Sequence, residues 1–257
     1  PQEVAPLVSS INDLLNRLKT SLSTQKRFLA DAAHQLKTPL AGLRMQADLA
    51  QRKEAGEEEL KQSLQQIGRA SVQATHTVNQ LLSLARAEGA GSIDLQSCDM
   101  AALISEVLND SLPHAMEKGL DLGYDGVDTA KKRRFLTLQG NPTLLKEMIR
   151  NLVDNAIHYT PSTPERIGVI TVRLLLDPYS QALAVQVEDN GPGISAAERE
   201  RVFEPFYRAL GTNVDGSGLG LPIVREIAKR HGATVTVEMA HPGQTPPGAC
   251  FTIRFSR

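Results

Sequence analysis

The sequence lacks tryptophan, has only two cysteines and contains no long apolar run. Cys98 and Cys250 are too few for a disulfide scaffold and lack the spacing of metal ligands, which favours a reducing, cytosolic environment. No apolar stretch reaches the roughly 18 residues of a membrane-spanning helix. The net charge of −1 gives no electrostatic reason for nucleic acid or an anionic membrane as the main partner. These absences together indicate an ordinary soluble segment.

The first third of the chain carries a seven-residue apolar repeat that runs from Val8 to Ala50. Such a repeat is typical of a coiled coil or a helical bundle. A polar break follows at residues 51–59, and helical spacing resumes from Leu60 to about Glu88. The pattern predicts two long helices joined in an antiparallel hairpin. Because a lone hairpin buries too little apolar surface, we predict a homodimer that forms a four-helix bundle.

The sequence pattern changes after AEGAGS at residues 87–92, a stretch of small residues typical of a flexible linker. Helical patterns recur near residues 99–118, 141–158 and 219–231. Alternating or β-branched runs predict strands within residues 93–100, 134–140, 166–176, 182–189, 234–239 and 250–256. This mixture indicates an α/β sandwich, so the predicted fold class is α + α/β, a helical hairpin followed by a sandwich domain.

The stretch NLVDNAIHYT, at residues 151–160, concentrates polar groups on a predicted helix. Helical spacing places four of them near one face, namely Asn151, Asp154, Asn155 and His158. The other face, with Leu144, Leu145, Met148, Leu152 and Ile157, is expected to be buried. Taken alone, the polar face is explained equally well by ordinary hydrogen bonding.

Two glycine-rich stretches follow, VQVEDNGPGI at residues 185–194 and DGSGLGLPIV at residues 215–224. The first ends a predicted strand in Asp189, and the second leads directly into a predicted helix. Exposed amides at a helix N-terminus bind anions, and glycines let a phosphate approach the backbone. A turn with a helix cap uses the same residues, so the ordered combination is more specific than either stretch.

In their order along the chain, five segments resemble the sequence boxes of bacterial sensor histidine kinases. They are FLADAAHQLKTPL, the phosphoacceptor box; NLVDNAIHYT, the asparagine box; DNGPGI, the first glycine box; VFEPFYR (202–208), the phenylalanine box; and GSGLGL, the second glycine box. The resemblance covers residues 22–256, and residues 3–18 resemble the last helix of a HAMP signalling module. It implies a HAMP-like helix end at 1–21, a dimerisation and phosphoacceptor domain at 22–88, a linker at 89–92 and a catalytic ATP-binding domain at 93–257.

The resemblance implies a gyrase, Hsp90 and MutL type of fold that binds ATP with Mg²⁺. Asn155 matches the asparagine that holds Mg²⁺, and Asp189 matches the acceptor for the adenine amino group, which favours ATP over GTP. Arg208 is implied to neutralise charge on the transferred phosphoryl group. The other implied nucleotide-binding residues are Asn151, His158, Tyr159, Gly191, Gly193, Gly216, Gly218 and Gly220. Of these, His158 stands where many relatives have a lysine.

His34 is the implied phosphoacceptor, since it lies in the HQLKTP core of the first box. With Ala32 and Leu36 on the buried seam, helical geometry turns His34 and Thr38 towards solvent. A neutral imidazole is nucleophilic at the ring nitrogen that carries no proton. Pro39 removes one backbone hydrogen bond from the helix, which predicts a bend beside the histidine.

Two neighbours of His34 carry further expectations. Gln35 stands where the family usually has an acid, and an amide can orient the ring but cannot offset the charge of an imidazolium. We therefore expect slower or differently assisted autophosphorylation. Thr38 resembles the residue that positions water for dephosphorylating the partner, which implies phosphatase activity. The implied partner is the receiver domain of a response regulator, and the implied setting is the cytoplasmic side of a bacterial inner-membrane sensor.

Two other functions are compatible with parts of the pattern, an ATP hydrolase of the same fold and a dimeric nucleotide-sensing scaffold. Asn151 argues against the hydrolase, because the ATPases that the chain resembles place a water-activating glutamate at this position. The displayed His34 and the intact glycine boxes argue against the scaffold. The preferred prediction is therefore a protein histidine kinase.

Overall fold

The computed structural model describes residues 5–51, 56–88, 94–126, 136–177, 182–208 and 216–256. The chain divides into two compact units, with the division between Leu81 and Leu82. The predicted linker at 89–92 lies outside the described residues. Within the described ranges, no helix has the length and apolar character needed to cross a membrane.

The first unit is built from two long helices, as the apolar repeat predicts. Helix α1 spans Ala5–Ala50 and continues through Pro39, and helix α2 spans Glu57–Glu88, whose last turns belong to the second unit. Helix α2 begins inside the predicted polar break, because three glutamates in its first turn interact favourably with the positive end of the helix dipole. The bend at Pro39 and the antiparallel pairing stay predictions.

The N-terminal part of the α1 seam is uncovered within the single chain, whereas Leu36 and Leu43 further along are half-buried. Four of its leucines are about half exposed or more, namely Leu15, Leu18, Leu22 and Leu29. Apolar side chains that repeat on one helix face and stay exposed are available to a partner helix. Homodimerisation through this seam stays a prediction.

Within the described residues, the second unit contains three further helices and seven strands. The helices are α3 (Met100–Glu117), α4 (Pro142–Tyr159) and α5 (Gly220–Arg230), with a short 3₁₀ turn at Arg201–Phe203. The strands are β1 (Gln96–Asp99), β2 (Leu120–Gly126), β3 (Thr137–Gly140), β4 (Gly168–Leu176), β5 (Leu183–Asp189), β6 (Ala233–Met239) and β7 (Ala249–Phe255). Strands β1 and β3 form a small antiparallel ribbon, and the main sheet has the order β2-β4-β5-β7-β6.

The helices begin at sequence signals that lie directly before them. The side chain of Asp99 accepts a hydrogen bond from the N–H of Ala102 at the start of α3. Asn141 accepts one from the N–H of Leu144 at the start of α4, and Pro142 occupies the first helical position. Both arrangements satisfy a backbone donor that the helix itself leaves unpaired, and proline is preorganised for the first turn.

One strand of the main sheet is missing from the sequence prediction. Strand β2, with the sequence LDLGYDG, contains glycine and aspartate, which are poor strand formers. It lies at the sheet edge and pairs in parallel with β4. Long-range pairing, rather than local propensity, therefore makes it a strand. The other predicted strands and the three predicted helices of this unit are confirmed.

The core lies between one face of the main sheet and the helices. Alternate residues of β4 and β5 are buried on that face, namely Ile170, Val172, Leu174, Leu183, Val185 and Val187. The apolar face predicted for α4 is fully buried at Leu145, Met148, Leu152 and Ile157, whereas Leu144 is only half-buried. The result is the predicted mixture of helices and sheet, with the polar face of α4 left facing away from the core.

Helices α4 and α5 run antiparallel. At one end, the N–H of Asn141 donates to Nε2 of His231, which follows the last residue of α5 (3.1 Å). At the other end, the first residue of α5, Gly220, lies against Asn151 in the middle of α4. This pairing places the N-terminus of α5 beside the polar face of α4.

Candidate functional site: a nucleotide pocket

The polar face of α4 forms one wall of the candidate site. Asn151 is 7% exposed, and Asp154, Asn155 and His158 are half-buried. The His158 and Tyr159 rings meet edge to face, with 6.2 Å between their centroids. The structure thus keeps these polar side chains together at the C-terminal half of α4, as the helical spacing predicts.

Asn151 has a defined amide orientation. Its Nδ2 donates to the backbone carbonyl of Glu147 one turn earlier (2.8 Å) and to Oε1 of the same residue (3.3 Å). Its Oδ1 points towards Gly220, because a β-carbon built at Gly220 would lie 3.1 Å from that oxygen. Glu147 therefore orders the amide, and the amide oxygen faces the beginning of α5.

The N-terminus of α5 has the features of an anion site. Leu219 precedes the helix and makes no side-chain cap with its first turn. The first N–H groups of a helix have no intrahelical acceptor, and together with the helix dipole they attract negative charge. This end of α5 lies beside the amide oxygen of Asn151. An anion bound at the helix end would therefore lie close to that oxygen and to any cation that the oxygen binds.

The second glycine box contacts the phenylalanine box. Gly218 has a φ of +70°, and a β-carbon on it would lie 2.8 Å from the backbone of Phe206. The N–H of Phe206 donates to the carbonyl of Gly218 (2.9 Å). Gly216 faces Tyr159, whose hydroxyl lies 4.0 Å from a β-carbon built at that glycine. Glycine at 218 is thus required by both conformation and space.

Asp189 lies at the end of β5 and is only 6% exposed. Its Oδ1 accepts hydrogen bonds from the N–H groups of Gly191 (2.9 Å) and Ala249 (3.2 Å). Burial raises the pKa of the Asp189 carboxyl, and the two N–H donors oppose that rise. Because both bonds end on Oδ1, Oδ2 is available to a donor on a ligand.

The turn before β7 supports Asp189, and sequence reasoning missed it. Gly248 has a φ of +67°, and a β-carbon on it would lie only 2.1 Å from the carbonyl oxygen of Asp189. Its N–H donates to the carbonyl of Gly191 (3.0 Å), and Gly193 packs against the same turn. The available sequence signal is a glycine directly before the alternating strand ACFTIRF. Asp189, the residue that this turn supports, lies some sixty residues earlier in the chain.

The other predicted site residues are described by their position in the chain and their exposure. His34 and Thr38 are exposed on α1 and Gln35 is half-buried, all in the first unit. Arg208 is exposed and directly precedes residues 209–215, which lie outside the described residues. The glycines and polar residues of 207–217 predict a mobile lid, and the structure describes this segment only at its two ends.

The side chains of the pocket suit a metal ion that takes most of its ligands from a bound phosphate compound and from water. Within the described ranges, no three or more His, Cys, Asp or Glu side chains are grouped so that they could hold a metal ion. Asn155 lies on α4 one turn after Asn151 and offers a neutral amide oxygen. Mg²⁺ keeps several waters and takes its remaining ligands from phosphates, so one amide oxygen suits it.

Fold and site together define a class of protein in which a helical unit displaying a histidine is joined to an α/β nucleotide-binding domain. Residues 24–90 match the His Kinase A (phospho-acceptor) domain. Residues 140–257 match the Histidine kinase-, DNA gyrase B-, and HSP90-like ATPase domain. The chain belongs to the histidine kinase family.

Its relatives carry consistent names. The chain is 35% identical over 251 residues to Sensor protein QseC of Salmonella typhi, which covers 95% of this chain and 51% of the relative. It is 34% identical over 259 residues to Signal transduction histidine-protein kinase/phosphatase MprB of Mycobacterium sp. strain KMS, covering 98% of this chain and 47% of the relative. The chain thus spans about half the length of these curated relatives.

Solved structures agree on the fold. The structure of histidine kinase ThkA in complex with response regulator protein TrrA matches with a TM-score of 0.71, covering 92% of this chain and 63% of that one. At 20% identity, this likeness concerns the fold alone. It confirms a helical region followed by a mixed α/β domain.

Proposed function

We propose that this chain is the catalytic part of a sensor histidine kinase of a two-component system. It binds ATP with Mg²⁺, transfers the γ-phosphoryl group to His34 and passes that group to an aspartate in the receiver domain of a response regulator. The observation that carries the proposal is the contact between Asn151 and Gly220. It brings the amide face of α4 and the open end of α5 together in a chain that displays His34 on another helix.

The two ends of the pocket suit the two ends of ATP. Asp189 offers Oδ2 as an acceptor for the adenine amino group, while Gly191 and Gly193 form the wall beside it. The triphosphate lies at the other end, with its negative charge at the N-terminus of α5. The residues around that end are His158, Tyr159, Asn151, Gly216, Gly218 and Gly220. Asn155 would hold Mg²⁺, which supplies charge neutralisation for the triphosphate.

The chemistry needs a nucleophile and neutralisation of charge. The lone pair of the unprotonated ring nitrogen of His34 forms a bond to the γ-phosphorus, and the bond from that phosphorus to its bridging oxygen breaks, so ADP leaves. Gln35 accepts the N–H of the other ring nitrogen and orients the ring. Arg208 neutralises charge that develops on the phosphoryl group during transfer. The aspartate of the regulator then takes the phosphoryl group from His34.

Transfer to a protein rather than to water is supported by Asn151. Its amide nitrogen donates to Glu147, and its oxygen faces Gly220. An amide has no basic group at neutral pH, so it cannot remove a proton from water. ATP bound here is therefore preserved for attack by His34.

Phosphatase activity is the second part of the proposal. Thr38 is exposed one helical turn after His34. At that distance its hydroxyl can hold a water that attacks the acyl phosphate of a docked regulator. One relative, MprB, is named a kinase/phosphatase. We infer the same two activities for this chain.

The oligomeric state and the cellular location are also proposals. The exposed leucines of α1 fit a second copy of the chain, which would complete a four-helix bundle. The helical bundle would also receive the response regulator. Since QseC, a relative named as a sensor protein, is about twice as long as this chain, we propose that the chain is the cytoplasmic portion of a membrane-anchored sensor.

The decisive experiment labels the chain with γ-³²P-ATP and Mg²⁺. We expect label that is stable to alkali and lost in acid, as expected of a phosphoramidate at histidine, and we expect none in His34→Ala. His76 is also exposed on a helix of this chain and gives a matched control, because His76→Ala should label like the unmodified chain. Equal labelling of His34→Ala, or release of all label as inorganic phosphate, would overturn the proposal.

A further inference from the structure

We propose that Asn190 is a positioning residue of the base site, which holds the carboxylate of Asp189 in place through the peptide group that joins Asn190 to Gly191. This inference rests on the proposed binding of ATP, and it adds the residue that orients the acceptor for the adenine amino group. Asn190 itself does not contact the nucleotide in this proposal.

The pairing of β4 with β5 continues for one residue beyond the regular ladder. Ile170 lies opposite Asp189 in the antiparallel register. At the next step, the N–H of Asn190 donates to the carbonyl of Val169 (3.1 Å). Two residues that pair in this way normally exchange two backbone bonds, one in each direction. A regular ladder would therefore also join the N–H of Val169 to the backbone carbonyl of Asn190.

The side chain of Asn190 makes this second bond instead. The N–H of Val169 donates to Oδ1 of Asn190 (2.9 Å), and Nδ2 of Asn190 donates to the carbonyl of Ile167 (3.0 Å). The backbone carbonyl of Asn190 accepts a hydrogen bond from the guanidinium of Arg166. An amide supplies both the acceptor and the donor that this edge of β4 requires, whereas an ionised carboxylate supplies acceptors alone.

This exchange of partners sets the orientation of one peptide group. The carbonyl of Asn190 and the N–H of Gly191 belong to the same planar trans peptide, so they point in opposite directions. Because the carbonyl is turned to Arg166, the N–H is turned to Oδ1 of Asp189, to which it donates (2.9 Å). With Oδ1 held by this bond and by the N–H of Ala249, the direction of Oδ2 is fixed as well.

Loss of the Asn190 side chain is therefore expected to act on Asp189. Without Oδ1 of Asn190, the N–H of Val169 has no acceptor unless the backbone carbonyl of Asn190 turns back towards β4, as in a regular strand. That turn rotates the N–H of Gly191 away from Asp189. The carboxylate then has one fixed donor instead of two, and the cost of ordering it on binding weakens recognition of the base.

The test uses ATP beside purine riboside triphosphate, which is ATP without the amino group. Calorimetric titration of the whole chain measures the affinity for each, and the ratio of the two affinities reports the bond between the amino group and Asp189. We expect the original chain to prefer ATP. Asn190→Ala should bind ATP roughly five- to tenfold more weakly, the range for one hydrogen bond, and should bind the analogue with unchanged affinity.

Ser162→Ala is the matched control, because it removes a side-chain tether from the same end of β4. The hydroxyl of Ser162 donates to the carbonyl of Gly119 (2.6 Å) and accepts from the N–H of Gly168 (3.1 Å). Both partners lie beside the start of β2, on the other side of β4 from β5. We expect Ser162→Ala and Asn190→Ala both to lower the midpoint of thermal unfolding. Only Asn190→Ala should change the ratio of affinities.

Arg166→Ala provides a second variant that leaves the pairing of Asn190 with β4 intact. It removes only the partner of the Asn190 carbonyl, and Arg166 is exposed, so the protein should fold normally. We expect the ratio of affinities to shrink by roughly twofold, as for the loss of one exposed charged contact. This variant decides the question if Asn190→Ala does not fold.

The outcomes are distinct. If the original chain does not bind ATP, the proposed function itself is overturned. If the original chain binds ATP and the analogue equally, Asp189 does not recognise the amino group, and the role of Asn190 is overturned while ATP binding stands. An unchanged ratio in Asn190→Ala, or an equal loss of affinity for both nucleotides, also overturns the role of Asn190 and leaves the proposed function in place. The same criteria apply to Arg166→Ala.

Discussion

Gly220 and Asn151 touch each other across the two helices that build the pocket, with only 3.1 Å between a β-carbon built at Gly220 and Oδ1 of Asn151. The two residues are 69 positions apart in the sequence and belong to different boxes. Their contact fixes the distance between the amide face of α4 and the N–H groups that begin α5. Changes at either residue are therefore expected to affect both helices.

The first prediction concerns the hydrogen bond of Asn151. Asn151→Asp replaces the Nδ2 donor by an oxygen that faces the carbonyl and carboxylate of Glu147. A buried acceptor that faces other acceptors lowers the free energy of unfolding of the protein by about 2 kcal/mol. We expect this loss at pH 8, measured by urea unfolding. The pKa of the introduced carboxyl should be raised, so the loss should shrink as the pH falls and the proton restores a donor.

Glu147→Gln is the matched control for that change. It keeps the backbone carbonyl that receives the shorter bond from Asn151 and alters only the contact at 3.3 Å. Its stability should stay within about 0.5 kcal/mol of the original, as for an exposed or weak contact. Equal stabilities of Asn151→Asp and the original chain at pH 8 would contradict the orientation of the amide.

The second prediction compares two glycines to separate the effect of a positive φ from the effect of a steric clash. Gly218 and Gly232 have similar positive φ values, +70° and +62°. A β-carbon at Gly218 would lie 2.8 Å from the backbone of Phe206, whereas one at Gly232 would have nothing within 4 Å. Alanine should therefore cost about 1 kcal/mol of stability at Gly232 and leave ATP affinity unchanged. Alanine at Gly218 should also displace Phe206 and weaken ATP binding at least tenfold, about 1.4 kcal/mol.

The experiment for both glycine variants is titration with ATP beside thermal unfolding. Equal ATP affinities for Gly218→Ala and Gly232→Ala would mean that the contact with Phe206 does not shape the pocket. A loss of affinity in Gly232→Ala would show that stability, not local geometry, controls binding.

The third prediction follows from the burial of Asp189. Burial is the largest influence on its carboxyl and raises the pKa above the ordinary 3.8. A raised pKa in the folded state means that ionisation opposes folding, and that this penalty disappears as the pH falls through the folded-state pKa towards 3.8. Asp189→Asn has no such penalty, and its oxygen can still accept from Gly191 and Ala249. It should therefore gain stability over the original chain at pH 7, and the gain should vanish near pH 4.

The same substitution should impair nucleotide binding. The amide nitrogen at position 189 replaces an acceptor with a donor, so the adenine amino group would lose its proposed partner. We expect ATP affinity to fall roughly 10- to 100-fold, the range for a hydrogen bond to a charged group. GTP should lose less, because the new donor faces its carbonyl. Unchanged ATP affinity in a more stable Asp189→Asn protein would remove Asp189 from the base site.

The parts of this molecule that could be predicted from sequence are those with local causes. The sequence predicts helix α4 from the regular spacing of its apolar face and from Asn141 and Pro142 at its start. Strand β2 could not be found, because its glycines and aspartates oppose a strand and only pairing with β4 makes it one. The same limit applies to the pocket. Asp189 stands in a visible motif, while its support from Ala249 crosses between strands.

Thr160 shows the remaining limit. Its position after NLVDNAIHY is visible in the sequence, but its burial and its lack of a partner among the described residues are properties of the packed domain. A threonine after a helix normally suggests a cap or a surface residue. The contact of its backbone with Gly191, in the turn after β5, is what places it beside Asp189.

The fourth prediction concerns the residue after His34, the proposed phosphoacceptor. Gln35 is half-buried beside the exposed His34, and its amide oxygen can accept the ring N–H but carries no charge. In the proposed reaction the imidazole would become positively charged as it forms its bond to phosphorus, so Gln35→Glu should stabilise the transition state. An exposed ion pair contributes up to about 1 kcal/mol, which corresponds to roughly fivefold in rate. We expect that increase in the initial rate of label incorporation from γ-³²P-ATP at saturating nucleotide.

Salt and a second variant distinguish this electrostatic effect from a change in ring orientation. The advantage of Gln35→Glu should shrink as ionic strength rises, because exposed charges are screened. Gln35→Ala removes both orientation and charge, and it should label more slowly than the original chain at every salt concentration. If Gln35→Glu is no faster than the original at low salt, the amide does not limit the reaction, and the rate is controlled elsewhere, in the approach of bound ATP to His34.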